Sequence, residues 1–337
     1  MKFSLTPLSK FKSSLPILLS ITILIPIPLL LWLGYLWQIA PGMPFLDLLS
    51  VEKKTFVVLG DPQQTSWWET TFLQRSNNRK VTTRLFQFIA AEQPDFVALL
   101  GDLVFYGANH SNWTDFDLFA QPLQKRGIPT LTVLGNHDYF GPDSIALANV
   151  YSRFPQLSQQ HWYLRIYGSL ALIFLDSNQS AMPPSHWQKQ IHWLKNTLTS
   201  LEQNPRIQAI LFLAHHSPYT NDLYSPDAQH LRPWLNLFFS SPKSILFLSG
   251  HCHGYEHFVK QKKHFVVSAG GGGPRKKHLQ GPNQRHPDLY TGPYPRPFHY
   301  LRLQLQKSHL HIQAMGLFSN SLRCFDEFSI PLPTTPQ

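Results

Sequence analysis

Short, continuous apolar runs recur along the chain from residue 55, separated by stretches whose apolar positions fall three and four apart. TFVVLG (55–60), DFVALLG (95–101), PTLTVLG (129–135), IQAILFLA (207–214), SILFLSG (244–250) and FVVSAG (265–270) read as buried strands, because almost nothing polar interrupts them. VTTRLFQFIAAEQ (81–93), with Leu85, Phe88 and Ile89 at helical spacing, predicts a helix, as does WTDFDLFAQPLQKRG (113–127), which Gly127 ends. The clearest helix is 185–204, where Trp187, Ile191, Leu194, Leu198 and Leu201 share one face. WYLRIYGSLALIFLD (162–176) predicts a hairpin turning at Gly168, and the alternating YLRLQLQ and LHIQAMG a closing antiparallel pair. Strand–helix alternation followed by hairpins predicts an α/β fold of mixed sheets with helices outside.

The N-terminal segment follows another pattern. Lys2, Lys10 and Lys12 precede an uncharged stretch that runs from Ser13 to Leu46. Its core, Leu15 to Trp37, has the length of a bilayer-crossing helix, which takes about 20 apolar residues. Pro26 and Pro28 are tolerated in such a span, and Trp32, Tyr35 and Trp37 gather toward one end as interfacial aromatics do. The leading lysines place the N-terminus in the cytoplasm. These features predict a basic cytoplasmic N-terminus at 1–14, a transmembrane anchor at 15–40, a linker at 41–54 and an extracytoplasmic domain at 55–332. The alternative is secretion after signal-peptide cleavage. Against it, the apolar stretch exceeds the roughly 7–15 residues of such peptides, and WQIA lacks the small residue a cleavage site needs.

Charge narrows the partners. Lys and Arg number 29 against 19 Asp and Glu, a net charge of +10, which favours anionic partners. The basic residues are scattered, so nucleic acid is not expected; a phosphorylated small molecule or a phospholipid surface is. Cys252 and Cys324 are too few for a disulfide framework.

Chemistry collects after the apolar runs. GDPQ (60–63), GDLVFYG (101–107), GNHD (135–138), AHHSP (214–218) and GHCH (250–253) each follow a predicted strand. They supply Asp61, Asp102, Asn136, His215 or His216, His251 and His253. Carboxylate, amide oxygen and imidazole suit Zn, Fe or Mn, and the inventory fits two ions sharing a carboxylate. The glycine before Asp61, Asp102, Asn136 and His251 permits a tight turn at the strand end. Either histidine of the 215–216 pair satisfies the pattern; strand-end position favours His215. Cys252, between two candidate ligands, reads as a small residue in a packed loop.

In these five stretches, in this order, the chain resembles the calcineurin-like metallophosphoesterase superfamily over about residues 55–320. GNHDYFG, the long helix ending in WL, GHCHGYEH and VVSAGGGG look most like the purple, tartrate-resistant acid phosphatases. The resemblance implies a sandwich of two mixed β-sheets flanked by helices, behind the N-terminal transmembrane helix. It implies a metal-dependent hydrolase of phosphate esters, acid-phosphatase-like and acting on monoesters. Alternatives are a phosphodiesterase or phospholipid-headgroup hydrolase at a membrane surface, or an inactive protein that binds metal or phosphate. It further implies two metal ions (Fe, Zn or Mn) with Asp102 between them, Asp61 and His253 on the first, and Asn136, a histidine of the 215–216 pair and His251 on the second. His137 would act beside the phosphate, with Asp138 orienting it. One position departs from the pattern. Purple acid phosphatases carry a tyrosine three residues after the bridging Asp; here that residue is Phe105, and Tyr106 follows. Gln63, Tyr106 or water is left to complete the first site, and Gln63 is preferred, facing the ion directly or through water.

Other polar residues carry weaker expectations. Asp176, at a strand end, faces the site or, more commonly for such a residue, caps a helix or turn; Asn109 and His110 touch substrate or are solvated loop residues; and one of Tyr255, Glu256 and His257 supports a metal histidine. SAGGGGPRKKH (268–278) offers an anion-binding turn or a flexible loop, and the Pro-rich 281–298 a lid or a connection. Asn112 and Asn178 stand in glycosylation sequons.

Overall fold

The computed structural model describes residues 47–48, 51–292 and 294–333. The expected membrane span at 15–40 lies outside them, and among the described residues no helix is long and apolar enough to cross a membrane. The strands, in chain order, are β1 (Asp47–Leu48), β2 (Thr55–Leu59), β3 (Val97–Leu99), β4 (Thr130–Thr132), β5 (Tyr163–Tyr167), β6 (Leu170–Phe174), β7 (Ala209–Ala214), β8 (Ser244–Ser249), β9 (Tyr255–Lys260), β10 (Lys263–Ser268), β11 (Phe298–Leu305), β12 (His309–Phe318) and β13 (Ser321–Pro331). The helices are α1 (Trp67–Thr71), α2 (Arg79–Glu92), α3 (His110–Gln124), α4 (Asp143–Tyr151), α5 (Pro184–Gln203) and α6 (Arg232–Ser240).

The strands form two mixed sheets, in the orders β1-β5-β6-β7-β8-β10-β9 and β13-β12-β11-β2-β3-β4. Strand alternation divides the apolar residues into layers. Phe56, Val58, Ala98 and Leu100 from one sheet meet Leu172, Phe174, Leu211 and Leu248 from the other between the sheets. Their sequence neighbours Val57, Leu59, Val97 and Leu99 face outward under α2 and α3. On the opposite flank Ile173, Ile210, Phe212 and Phe247 pack under α5 and α6 through Trp187, Leu194, Trp234 and Phe238. Burial on both faces is why these strands carry continuous rather than alternating apolar runs.

Several elements start or exist outside the predicted segments, α1, α4, α6, β1 and β9 among them. Helix α3 begins at His110 because Asn109 caps it, its side chain accepting the Ser111 N–H at 2.9 Å. β13 is an edge strand with Ile330 as its one buried apolar side chain, so no apolar run marks it.

The parallel pairs β2–β3–β4 and β6–β7–β8 point their C-terminal ends the same way within each sheet, and the loops that follow β2, β3, β4, β7 and β8 meet there. Sheet folds place sites at such ends because rigid strands aim loops that are free to vary.

Candidate metal centre

Asp61, Asp102, His251 and His253 all have left-handed backbones, with φ of 56°, 49°, 71° and 32°. Residues other than glycine rarely adopt this region, and clustered exceptions mark places where the surrounding structure holds strain for function. The sharp reversal aims each side chain back across the strand end. Gly60, Gly101, Gly135 and Gly250, which precede Asp61, Asp102, Asn136 and His251, serve mostly as clearance: a Cβ on Gly135 would sit 2.2 Å from the Asp102 amide nitrogen and from its Oδ1. Of these, only Gly101 is itself left-handed, at φ +81°.

The side chains form two triads, Asp61–Asp102–His253 and Asp102–His215–His251, and within each the candidate ligand atoms lie within 4.8 Å of one another. Asp102 belongs to both. His215 Nδ1 donates to the Leu100 carbonyl at 2.8 Å and His253 Nδ1 to the Pro274 carbonyl at 2.7 Å. Each bond fixes the tautomer and turns an Nε2 lone pair toward the centre. Around His215 Nε2 stand Asn136 Oδ1 at 3.1 Å, His251 Nδ1 at 3.2 Å and Asp102 Oδ1 at 3.3 Å. Acceptor atoms gathered this closely repel one another unless a cation lies among them, so the donor set fits metal ions.

The charges agree. Burial opposes ionisation of Asp102, but His215, His137 and His251 outweigh it and hold its carboxyl well below the usual range. Burial likewise opposes a charge on His215, yet Asp102 and Asp61 push its imidazole up to about 9. Burial, with repulsion from His215 and His216, holds His251 well below an ordinary histidine.

His215 thus stands inside the cluster. His216 belongs to neither triad: its Nδ1 pairs with Ser177 Oγ at 2.8 Å, its ring lies 4.6 Å from that of His251, and burial with its His215 and His230 neighbours lowers it to about 3. It lines a cavity of about 410 Å³ with His230, His251 and Tyr224. Gln63 is 2% exposed and lies at the first triad, its amide nitrogen 3.1 Å from His253 Nε2 and its Oε1 without a hydrogen-bond partner. Tyr106 is 41% exposed and packs its ring against Phe140, outside both triads.

Asp138 does not orient His137. Its carboxylate accepts the backbone N–H groups of Leu103 at 2.9 Å and Gly135 at 2.8 Å, tying the loops after β3 and β4 together. Burial and the neighbouring Asp102 raise it to about 8. His137 is held instead by the Phe105 carbonyl, 2.7 Å from its Nδ1, and donates its backbone N–H to Asp102 Oδ1 at 2.9 Å. Phe105 therefore keeps a place beside the site through its main chain.

The glycine run is not an anion cradle. The Gly271 and Gly273 amides donate to the carbonyls of Gly60 and Asp61 at 2.8 and 2.9 Å, so the loop braces the first triad. Lys276 Nζ, near the end of the same stretch, donates to the His251 carbonyl at 2.8 Å. Asn109 caps a helix, and Asn178 is buried, donating to the Leu134 carbonyl. Asp176 is buried against Tyr139 and His161, behind the His137 turn. Glu256 and His257 lie on β9, where Glu256 accepts from Thr220 and Asn221 and not from a metal histidine. Cys252 is buried and unbonded to Cys324, and its surroundings push the thiol up to about 12, first through burial.

Comparison with known proteins agrees with this geometry. Residues 54–255, more than half of the chain, match the family Calcineurin-like phosphoesterase. Purple acid phosphatase 22 of Arabidopsis thaliana is 23% identical over 243 residues, 65% of this chain and 49% of the relative. Probable inactive purple acid phosphatase 24 of the same plant is 25% identical over 185 residues, 48% of this chain and 29% of the relative. The chain spans less than half the length of these curated relatives. Among solved structures, purple acid phosphatase PPD1 from yellow lupin (Lupinus luteus) superposes with a TM-score of 0.65 at 18% identity, covering 87% of this chain and 55% of that one, which is a likeness of fold.

Proposed function

We propose that this chain, which belongs to the calcineurin-like phosphoesterase family, is a metal-dependent hydrolase of phosphate esters, acting on monoesters from a membrane-anchored position outside the cytoplasm. The observation that carries the reading is the pair of buried triads sharing Asp102. Asp61, Asp102 and His253 would hold one ion, with the Gln63 carboxamide beside it; Asp102, Asn136, His215 and His251 would hold the other. Two ions held there would supply charge to phosphoryl oxygens and acidity to a water.

The protein groups around them have separate work. The Phe105 carbonyl occupies His137 Nδ1, leaving Nε2 to protonate a leaving oxygen. His216, His230 and Tyr224 line the cavity beside the second triad and offer it polar edges for a phosphate. The anchored, extracytoplasmic placement is supported by the uncharged stretch from Ser13 to Leu46 and the lysines before it.

The test is hydrolysis of para-nitrophenyl phosphate and its bis-ester by the full chain with Zn, Mn or Fe added, beside Asp102→Asn. Metal-dependent turnover of the monoester that Asp102→Asn abolishes is the expected result. Turnover of neither ester would leave a metal-binding protein without this activity. Preference for the bis-ester would replace the monoesterase reading with a diesterase.

A further inference from the structure

Helix α1 is built inside out. Its acidic residue Glu69 is buried, while its aromatic and aliphatic neighbours face water: Trp67 is 72% exposed, Trp68 55%, Phe72 56% and Leu73 50%. The inversion is held in place. Ser66 Oγ accepts the Glu69 N–H at 3.1 Å, Glu69 Oε2 accepts the Ser66 N–H at 2.9 Å, and Arg75 closes on Glu69 Oε1. With the polar side chain tied down on the inner side, the rings of Trp67, Trp68 and Phe72 pack on one another at the surface. Nothing in the helix's own hydrogen bonding calls for them there.

The surface lies beside the metal centre. α1 starts four residues after Gln63, and Trp67 and Trp68 line a cavity of about 420 Å³ with Phe105 and Tyr106. Phe105 is the residue whose carbonyl holds His137. Tyr106 and Phe140, 41% and 39% exposed, continue the apolar rim, and Tyr224, 66% exposed, stands at the cavity beside His216 and His251. Exposed apolar surface of this kind marks an interaction site.

We propose that Trp67, Trp68, Phe72 and Leu73 form a membrane-docking face that seats the metal centre at the headgroup layer of an anionic bilayer. For its substrate class, an amphiphile with a phosphorylated head, the proposal rests on the phosphoesterase reading above. Three observations favour lipid over a protein partner. Tryptophan is the side chain that settles at the bilayer interface, and two adjacent ones lead this surface. Lys80, exposed, follows it, in a chain of net charge +10, which suits anionic headgroups. The chain also carries, before Asp47, an uncharged stretch of bilayer-spanning length. β1 pairs parallel with β5, and β5 antiparallel with β6, so the N-terminal end of β1 faces the same end of the sheet as the metal centre.

The test uses the full chain reconstituted in vesicles of phosphatidylcholine and phosphatidylglycerol. In a Cys324→Ser background, nitroxide labels go on Phe72→Cys and on Val259→Cys. Val259 sits near the end of β9, which runs antiparallel to β10 and so lies at the opposite end of the sheet. The expected result is a Phe72 label more accessible to oxygen than to a water-soluble nickel chelate, with the Val259 label the reverse. A Phe72 label as open to the chelate as the Val259 label, or one closed to oxygen and chelate alike under protein, overturns the proposal. A label-free measurement reads the same contact: Trp67→Phe/Trp68→Phe should lower the fraction of tryptophan fluorescence quenched by brominated lipid, and an unchanged fraction overturns the proposal. Hydrolysis of para-nitrophenyl phosphate is followed on the same samples. Lipid contact without hydrolysis would sink the phosphoesterase reading alone, and hydrolysis without lipid contact the docking face alone.

Discussion

One added methyl group at Gly273 should disable one of the two metal positions. A Cβ there would lie 2.7 Å from His253 Cε1 and 3.0 Å from both ring nitrogens. Ordinary contacts begin at 3.4 Å, so the ring and the loop must separate by about 0.7 Å (3.4 − 2.7). Neither moves freely: the Gly273 amide is bonded to the Asp61 carbonyl at 2.9 Å, and His253 Nδ1 to the Pro274 carbonyl at 2.7 Å. Reactive constellations tolerate displacements of roughly 0.5 Å, and about 1 Å costs around a hundredfold in rate. Gly273→Ala should therefore lower kcat/KM and the affinity of the Asp61–His253 ion by about 10- to 100-fold. The Asp102–His215–His251 triad contains no atom of this loop, so the second ion should stay. Metal analysis after dialysis against a weak chelator should find close to one ion per chain where the parent keeps two. A folded variant with parental stoichiometry and rate would refute the reasoning, because it would mean His253 is not positioned by this contact.

Other outcomes follow from the same geometry. Asp102→Asn removes the carboxylate common to both triads and should empty both positions, lowering kcat/KM by more than the roughly 10- to 100-fold typical of a supporting group; retention of both ions by mass spectrometry would contradict it. Gln63→His offers an imidazole where a neutral amide now faces His253, and should tighten binding of the first ion in calorimetric titration; unchanged affinity would place Gln63 outside the coordination sphere. Asp138→Asn turns one of two accepted backbone amides against an NH₂ group and should cost about 1–3 kcal/mol of stability; a urea midpoint like the parent's would count against the clamp. Glu256 is raised by burial from 4.5 to about 8, so the folded protein binds a proton there that the unfolded chain releases. Its contribution is fully present below pH 4.5 and is lost as pH rises toward 8, at up to about 1.4 kcal/mol per pH unit. Glu256→Gln should flatten that slope in urea titrations between pH 5 and 8, and parallel pH profiles for parent and variant would refute it.

Much of the centre was legible in the sequence because its chemistry is local to strand ends. A strand buried on both faces announces itself as an apolar run, and the polar letters directly after it must sit where that strand stops. Asp61, Asp102, Asn136, His251 and His253 could be placed this way before any coordinates, and the structure brings them together. The edge strand β13 could not, since an edge strand buries too little to leave a pattern.

What tertiary structure alone decided are the choices among neighbours. His215 and His216 both follow β7, and only the backbone direction there sends one imidazole to Asp102 and the other to Ser177. Asp138 beside His137 looked like its orienting partner, yet the orienting group is the carbonyl of Phe105, 32 positions away in the chain. The glycines of 270–273 spell an anion loop by composition, but their amides go to Gly60 and Asp61 because the loop must pass within contact of His253. The ligand types and their order are thus written in single positions of the chain. Which atom reaches which depends on contacts between segments far apart in it, and main-chain carbonyls and amides, which every residue shares, leave no letter to read.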